Sequence, residues 1–220
     1  MPRSETMQAI AETMKKAAAA LRDAEIPFLL AGSLASWARG GPETSHDLDF
    51  VVKPEDAERA LEALANAGLK PEKPPEEWLY KAWDGDVLVD IIFNPSGITP
   101  DDDVMARGDM LNVMSMELNV MAIEDVLATK LNALTQHSLR YEGLLDISRA
   151  LREQIDWEAV RRRARDTPFA RAFFVMIDGL GIAPLPEGEP GGGGLGGECH
   201  DSGGGGGADD PRVQVDVTTA

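Results

Sequence analysis

The sequence predicts an α+β fold, a mixed β-sheet flanked by helices that continues into a helical C-terminal part and a disordered tail. Strand and helix patterns mix in residues 1–122, whereas residues 123–182 show helical periodicity alone. Residues 183–220 hold 12 of the 22 glycines. Such a segment cannot bury enough apolar area to offset its ordering entropy. We therefore expect a mixed α/β core at 1–122, a helical subdomain at 123–182 and a disordered, Gly-rich acidic tail at 183–220.

Local signals place the elements of the first part. Apolar residues at helical spacing predict a helix over 5–24, and an apolar run after Pro27 predicts a strand over 28–31. Ser33 is expected to cap the N-terminus of a short helix over 34–39. The later elements are a strand at 47–52, a helix at 54–67, a proline-rich loop at 70–77, strands at 78–83 and 87–93, a helix at 101–107 and a second strand pair within 111–121.

A turn signal and helical periodicity predict the elements that follow residue 83 and those in the helical part of the chain. Asp84-Gly85-Asp86 stands between two apolar runs, which is a hairpin signal. Beyond residue 122, apolar residues recur with helical period. They predict helices at 123–134, 140–151, 157–165 and 168–180.

The charge balance limits the partners. The chain has 220 residues, 38 acidic and 21 basic side chains, and a formal net charge of −17. A body of this charge repels free nucleic acid at long range, so an RNA or nucleotide site must be a local positive or metal-filled pocket. Six arginines form the one basic cluster, which is either a solvated face or an RNA dock: Arg149, Arg152, Arg161, Arg162, Arg163 and Arg165.

Compartment signals favour a cytoplasmic protein. A single cysteine, Cys199, excludes an intrachain disulfide and is typical of a reducing compartment. The N-terminus lacks the apolar segment of a signal peptide. The longest apolar stretch, 26–38, is too short to cross a bilayer, so we expect no membrane association.

Asp47 and Asp49 form the first candidate site. On a strand, residues two apart share a face, so the two carboxylates project side by side. Like charges at that distance repel unless a cation lies between them, and hard oxygen donors favour Mg²⁺ or Mn²⁺. An Asp-x-Asp pair that caps a turn or faces water is the alternative.

Asp90 strengthens this prediction because it interrupts an otherwise apolar strand, VLVDIIF. A carboxylate in that setting needs a cation, a hydrogen-bond network or a raised pKa. The alternative is a strand-end aspartate that reaches solvent.

Two further positions suggest a phosphate site. Gly32-Ser33 joins a strand to a helix, which presents free backbone N–H groups, although many such junctions are only connectors. Lys130 falls on the apolar face of its helix, together with Ile123, Leu127 and Leu134. It either extends to solvent past its neighbours, pairs with a carboxylate or meets a ligand phosphate.

Together these residues resemble the nucleotidyltransferase superfamily that includes DNA polymerase β. The matching pattern is apolar-Gly32-Ser33, a short helix, Asp47-Leu48-Asp49-Phe50, and a later aspartate, Asp90, in an apolar strand. The segment AIEDVLATKLNALTQHSLRYEGLLDISRALREQIDWEAVRRR also looks like the helical part of the AbiE-type toxin nucleotidyltransferases of type IV toxin–antitoxin systems. Lys130 and Asp146 fall on matching positions there, although Gly143 replaces an acid usual in that branch.

The resemblance implies a nucleotidyltransferase core at 1–122 and a set of roles. Asp47, Asp49 and Asp90 would be the catalytic and metal-binding carboxylates, with Mg²⁺ or Mn²⁺ as cofactor and a nucleoside triphosphate as substrate. Asp47 and Asp49 would hold two metal ions, and Asp90 would complete the second metal site and help to deprotonate the acceptor hydroxyl. The nucleotide would be bound by four residues: Gly32, Ser33, Lys130 and Asp146.

The implied reaction transfers a nucleoside monophosphate to an acceptor hydroxyl. The toxin branch suggests RNA, including tRNA, or a protein as acceptor, and an antitoxin as partner. Two alternatives remain: a small-molecule acceptor, as in aminoglycoside-modifying relatives, and a non-catalytic scaffold that binds nucleotide or a partner.

Overall fold

A seven-stranded mixed sheet organises the residues that the computed structural model describes, 3–42 and 47–183. The strand order is β3-β4-β5-β2-β1-β7-β6. The strands are β1 (Phe28–Leu30), β2 (Leu48–Val52), β3 (Lys70–Glu72), β4 (Leu79–Asp84), β5 (Val87–Ile92), β6 (Asp109–Val113) and β7 (Met116–Val120). The prediction of a mixed sheet flanked by helices is confirmed. The predicted disordered tail, apart from Ala183, lies outside the described residues.

Eight α-helices are described around this sheet. They are α1 (Arg3–Asp23), α2 (Gly32–Trp37), α3 (Ala57–Asn66), α4 (Asp102–Ala106), α5 (Ile123–Asn132), α6 (Tyr141–Leu151), α7 (Trp157–Arg163) and α8 (Pro168–Gly179). The last four helices occupy the region predicted to be helical, and α5 packs against α2, α6, α7 and α8. None of the helices within the described residues is long and apolar enough to cross a bilayer.

The hairpin at the predicted turn has a well-defined register. Asp84 pairs with Val87 across the turn, and the antiparallel ladder continues to Leu79 and Ile92. β5 then pairs in parallel with β2, which pairs antiparallel with β1. These pairings bring the end of β1, the start of β2 and the middle of β5 to one region of the sheet.

The predicted proline-rich loop at 70–77 is wrong in part, because Lys70–Glu72 forms β3. Among the described strands, it pairs only with β4 and lies at the edge of the sheet, with Pro71 opposite Ala82. An edge strand tolerates proline because its second side needs no N–H donor. All three residues are exposed, so no apolar pattern marked the strand.

The predicted cap at Ser33 is also wrong. The N-cap of α2 is Ala31, and the Ala35 N–H donates to the Ala31 carbonyl at 3.1 Å. The helix therefore begins at Gly32, earlier than predicted, and Ser33 lies in its first turn. No side chain caps this helix. The helix predicted over 54–67 likewise begins as a 3₁₀ turn, Pro54–Asp56, before α3.

A buried ionic cluster joins the helical part to the sheet-bearing part. Asp125 on α5 accepts hydrogen bonds from the Nε and Nη2 atoms of Arg107, at 3.0 and 3.3 Å. The Nη1 atom of Arg163 on α7 lies 3.1 Å from Asp125 Oδ1, the oxygen that also accepts from Arg107 Nη2, and the Asp125 side chain is only 1% exposed. A carboxylate this deep is stable in ionised form only with such partners. The cluster therefore fixes the start of α5, the helix that carries Lys130.

Candidate active site

Asp49 and Asp90 are direct neighbours in the sheet. They are partners in the parallel register of β2 and β5. Paired residues on adjacent strands project from the same face, so both carboxylates lie on one side of the sheet. Asp47 is exposed and immediately precedes β2, whereas Leu48 and Phe50 point into the core. The structure therefore brings together the three aspartates predicted from the sequence.

Gly32 packs directly against the carboxylate of Asp49. A β-carbon at position 32 would lie 1.8 Å from Asp49 Oδ2, a distance that no side chain can occupy. The φ angle of Gly32 is +61°, in the left-handed region that favours glycine. The Ala31 N–H also donates to the Asp49 carbonyl at 2.8 Å. The strand–helix junction at Gly32 is therefore fitted to the backbone and the side chain of Asp49.

Burial and neighbouring charge make the ionised carboxylates costly. Burial, followed by the Asp90 carboxylate, raises the pKa of Asp49 from 3.8 to about 7, with Lys130 opposing this shift. Burial also raises the pKa of Asp90, against the hydrogen bond from Lys81. The Asp47 carboxylate adds to both increases. A cation between these groups would favour their ionised forms.

The carboxylates suit a divalent metal by their chemistry. The three carboxylates supply hard oxygen donors, which Mg²⁺ and Mn²⁺ prefer. A cation between them would also relieve the repulsion of their negative charges. Among the described residues, however, no three histidine, cysteine or acidic side chains already converge on one metal position. The three carboxylates are present in one region, and their side chains would have to move closer together to coordinate an ion.

Lys81 is a component of the site that the sequence-based interpretation missed. It lies opposite Asp90 in the β4–β5 ladder, with its Nζ atom 3.0 Å from Asp90 Oδ1. The hairpin signal contained this information. Counting outward from the Asp84–Val87 pair across the predicted turn places Lys81 opposite Asp90.

A cavity of about 680 Å³ lies next to the strand–helix junction, and none of the three aspartates is among its lining residues. Of the residues predicted to bind nucleotide, Ser33, Lys130 and Asp146 line it, whereas Gly32 lies against Asp49. Lys130 is half-buried and has no ion-pair partner within 4.0 Å among the described residues. Its charge acts on Asp49, which connects the cavity electrostatically to the carboxylates.

Part of the cavity wall is built by α6 and the segment before it. Tyr141, Glu142 and Gly143 line it together with Asp146. Asp146 is half-exposed and pairs with Arg149 at 3.6 Å. Asp146 therefore reaches the cavity from its edge, separate from the three aspartates on the sheet.

The arginine cluster is largely engaged within the protein. Arg149, Arg152 and Arg163 each pair with an acidic side chain. Arg162 lies 4.0 Å from Asp156, and the Arg161 guanidinium stacks over the Phe174 ring. These contacts favour the interpretation of a compensated face over that of a concentrated RNA dock.

Solved structures with similar folds include antibiotic-modifying enzymes. The crystal structure of ANT(2″)-Ia in complex with adenylyl-2″-tobramycin has a TM-score of 0.51 and 14% identity, over 74% of this chain and 95% of that one. The solution structure of the antibiotic-resistance factor ANT(2″)-Ia has a TM-score of 0.51 and 12% identity, over 78% and 94%. Lincomycin-bound LnuA, a lincosamide antibiotic adenylyltransferase, has a TM-score of 0.42 and 14% identity, over 62% and 92%. At these identities, the two ANT(2″)-Ia matches establish the fold.

Sequence comparison identifies the family. No curated protein matches the chain. The sequence pattern of the family described as "Uncharacterised nucleotidyltransferase" matches residues 5–178, which include Gly32, all three aspartates and Lys130. The chain therefore belongs to this nucleotidyltransferase family.

Proposed function

We propose that the protein transfers a nucleoside monophosphate from a nucleoside triphosphate to an acceptor hydroxyl, with Mg²⁺ or Mn²⁺ held by Asp47, Asp49 and Asp90. One observation carries the proposal. Asp49 and Asp90 are register partners on one face of the sheet, with Gly32 packed against Asp49. The bound metal would supply positive charge to neutralise the triphosphate and to make ionised carboxylates favourable.

The protein's own residues account for binding and proton transfer. The backbone and hydroxyl of Ser33 would contact the phosphates, and Lys130, which lines the same cavity, would add a positive charge. The acceptor oxygen attacks the α-phosphorus while the bond to the bridging oxygen of pyrophosphate breaks. Asp90 takes the acceptor's proton. Positioning and charge neutralisation supply most of the rate.

The class of acceptor follows from the surroundings of the cavity. The engaged arginines and the net charge of −17 favour a small-molecule acceptor over bulk RNA. The volume of about 680 Å³ suits a nucleotide with part of a small acceptor.

A toxin role is the second candidate, with RNA or a protein as acceptor and an antitoxin as partner. The observation in its favour is that Lys130 and Asp146, the two positions on which that resemblance depends, line the same cavity. In this case Asp146 would contact the nucleotide rather than only pair with Arg149.

Labelled nucleotides test the reaction. The protein is incubated with Mg²⁺, fractionated cell extract and each nucleoside triphosphate, labelled at the α- or the γ-phosphate. Transfer of the α-label with release of labelled pyrophosphate from the γ-labelled substrate is the expected result. Transfer of the γ-label would instead indicate a phosphotransferase and contradict the proposal.

The labelled fraction identifies the acceptor. Label in the small-molecule fraction supports the first candidate, and label in RNA or protein supports the toxin candidate. Asp49→Asn should abolish labelling, whereas Glu153→Gln, a change at a side chain that is 85% exposed, should retain it. Nucleotide binding without labelling of any fraction would favour the scaffold alternative.

A further inference from the structure

A row of four charged side chains crosses four strands of the sheet on the face that carries the site. The register places Glu72 opposite Lys81, Lys81 opposite Asp90, and Asp90 beside Asp49. Partners across a ladder share a face, so all four side chains project to the same side. Lys81 is the one cation of this row.

The contact of Lys81 is with Asp90 rather than with its other neighbour. Its Nζ atom lies 3.0 Å from Asp90 Oδ1, and the two side chains are only 24% and 15% exposed. Glu72 instead accepts a hydrogen bond from Trp83 Nε1 at 2.9 Å. Lys81 therefore pairs with Asp90, the carboxylate that was expected to complete the second metal site.

We propose that the Lys81 ammonium takes the place of a second divalent cation at Asp90, so that the site binds one metal ion tightly instead of two. An ammonium and a metal ion compete for the same carboxylate oxygen. A fixed positive charge next to a ligand also raises the free energy of placing a divalent ion there. The inference rests on the proposed function, because it assumes that Asp47 and Asp49 bind metal.

Lys81 on this view is a positioning residue. It holds one oxygen of Asp90 and leaves Oδ2 without a hydrogen-bond partner among the described residues. That oxygen is available to the acceptor hydroxyl. Asp90 would then serve mainly as the proton acceptor, with the tight metal held by Asp47 and Asp49.

Counting bound Mn²⁺ on the full chain tests the inference without any measurement of activity. Free Mn²⁺ is titrated by electron paramagnetic resonance, with calorimetry in parallel and no nucleotide present. We expect one tight Mn²⁺ in the wild type and two in Lys81→Met, with the second bound about tenfold more tightly than any second ion in the wild type. Lys81→Arg keeps the charge and should keep one ion.

Matched variants separate this effect from a general change of charge. Lys130→Met removes a cation that acts on Asp49 without an ion pair, so it should change the affinity but not the number of ions. Lys16→Met removes a comparable pair, 2.8 Å from Asp84, and should change neither. If the melting temperature of Lys81→Met lies well below that of the wild type, Lys81→Gln replaces it in this experiment.

The outcomes are distinguishable from failure of the proposed function. Two tight ions in the wild type, or one in Lys81→Met, would overturn the role of Lys81. Loss of Mn²⁺ binding in Asp49→Asn would then still support the metal site. If the wild type binds no Mn²⁺, or if Asp49→Asn binds as the wild type does, both the inference and the metal part of the proposed function fail.

Discussion

Gly32 and Asp49 are in van der Waals contact across the junction of β1 and α2, so closely that a β-carbon on Gly32 would lie 1.8 Å from Asp49 Oδ2. Backbone atoms of Asp49 cannot retreat, because its carbonyl accepts from the Ala31 N–H and its strand pairs with β1 and β5. The Asp49 carboxylate can therefore occupy its position only because residue 32 has no side chain.

Gly32→Ala is expected to displace the Asp49 carboxylate and to destabilise the protein. The left-handed φ alone costs an alanine about 1 kcal/mol, and the clash adds to this cost. We expect a loss of about 2–4 kcal/mol in unfolding free energy and loss of transferase activity. Urea unfolding and the labelling assay measure the two effects.

Gly85 supplies the control for backbone strain. Its φ is +60°, nearly that of Gly32, but a β-carbon there would meet nothing within 4 Å. Gly85→Ala should therefore cost only the strain and keep activity. Equal effects of the two substitutions on stability would show that the contact with Asp49 is unimportant.

The stability of the protein should fall between about pH 4 and pH 7 because of Asp49. Its pKa is raised from 3.8 to about 7 in the folded state, mainly by burial. In this range the folded state holds a proton that the unfolded state has released, so the free energy of unfolding decreases as pH rises. The loss is on the order of 2–4 kcal/mol.

Asp49→Asn should remove most of this pH dependence and should be more stable than the wild type at pH 8. Urea unfolding at pH 5 and pH 8, with a chelator present, measures both slopes. Glu153→Gln, at an exposed position, should keep the wild-type slope. An Asp49→Asn protein with the wild-type slope would assign the pH dependence to other groups.

The sequence predicted most of the fold because its strongest local signals agree with the tertiary structure. The Asp-Gly turn and the apolar runs of β2 and β5 are examples, since both reflect backbone geometry and burial. The β6–β7 hairpin was only expected within 111–121. Its turn residues, Met114 and Ser115, adopt left-handed φ angles of 49° and 66° without a glycine or asparagine to indicate them.

The sequence predicted the acidic residues of the site and Lys130, but it did not predict Lys81. Asp47, Asp49 and Asp90 stand out because a carboxylate within or next to an apolar strand needs a partner, whereas Lys81, which interrupts the apolar run WLYKAW, can instead extend its ammonium group to solvent past its neighbours. The partners of Asp125 were also missed. Arg107 lies in a different element and 18 residues away, and no local pattern predicts a pairing that only tertiary packing creates.

Lys130→Met should weaken nucleotide binding more than it affects folding. Lys130 lines the cavity and has no ion pair within 4.0 Å among the described residues, so its loss should change unfolding free energy by less than about 1 kcal/mol. Loss of a charged contact to phosphate should raise the dissociation constant of the nucleotide about tenfold or more. Calorimetry with the nucleotide and Mg²⁺ measures this change.

Lys53→Met is the matched control, because Lys53 pairs with Asp102 and does not line the cavity. It should bind nucleotide as the wild type does. Unchanged affinity in Lys130→Met would remove this lysine from the site and would weaken the toxin candidate. The argument from Asp49 and Asp90 would be unaffected.

Asp125→Asn should be strongly destabilising although it is far from any proposed ligand. The substitution keeps the shape of the side chain but removes the counter-charge of Arg107 and, among the described residues, leaves Arg163 with only Glu124, at 3.9 Å, which costs about 3 kcal/mol. Glu153→Gln, in an exposed pair with Arg152, should leave the melting temperature unchanged. Adding Arg107→Met to Asp125→Asn should recover part of the loss, because the two groups interact directly and their effects are not additive. The cluster fixes the start of α5, which carries Lys130. Asp125→Asn protein that remains folded should therefore also bind nucleotide more weakly, because Lys130 is displaced. Wild-type stability and affinity in this variant would show that packing alone positions the helix.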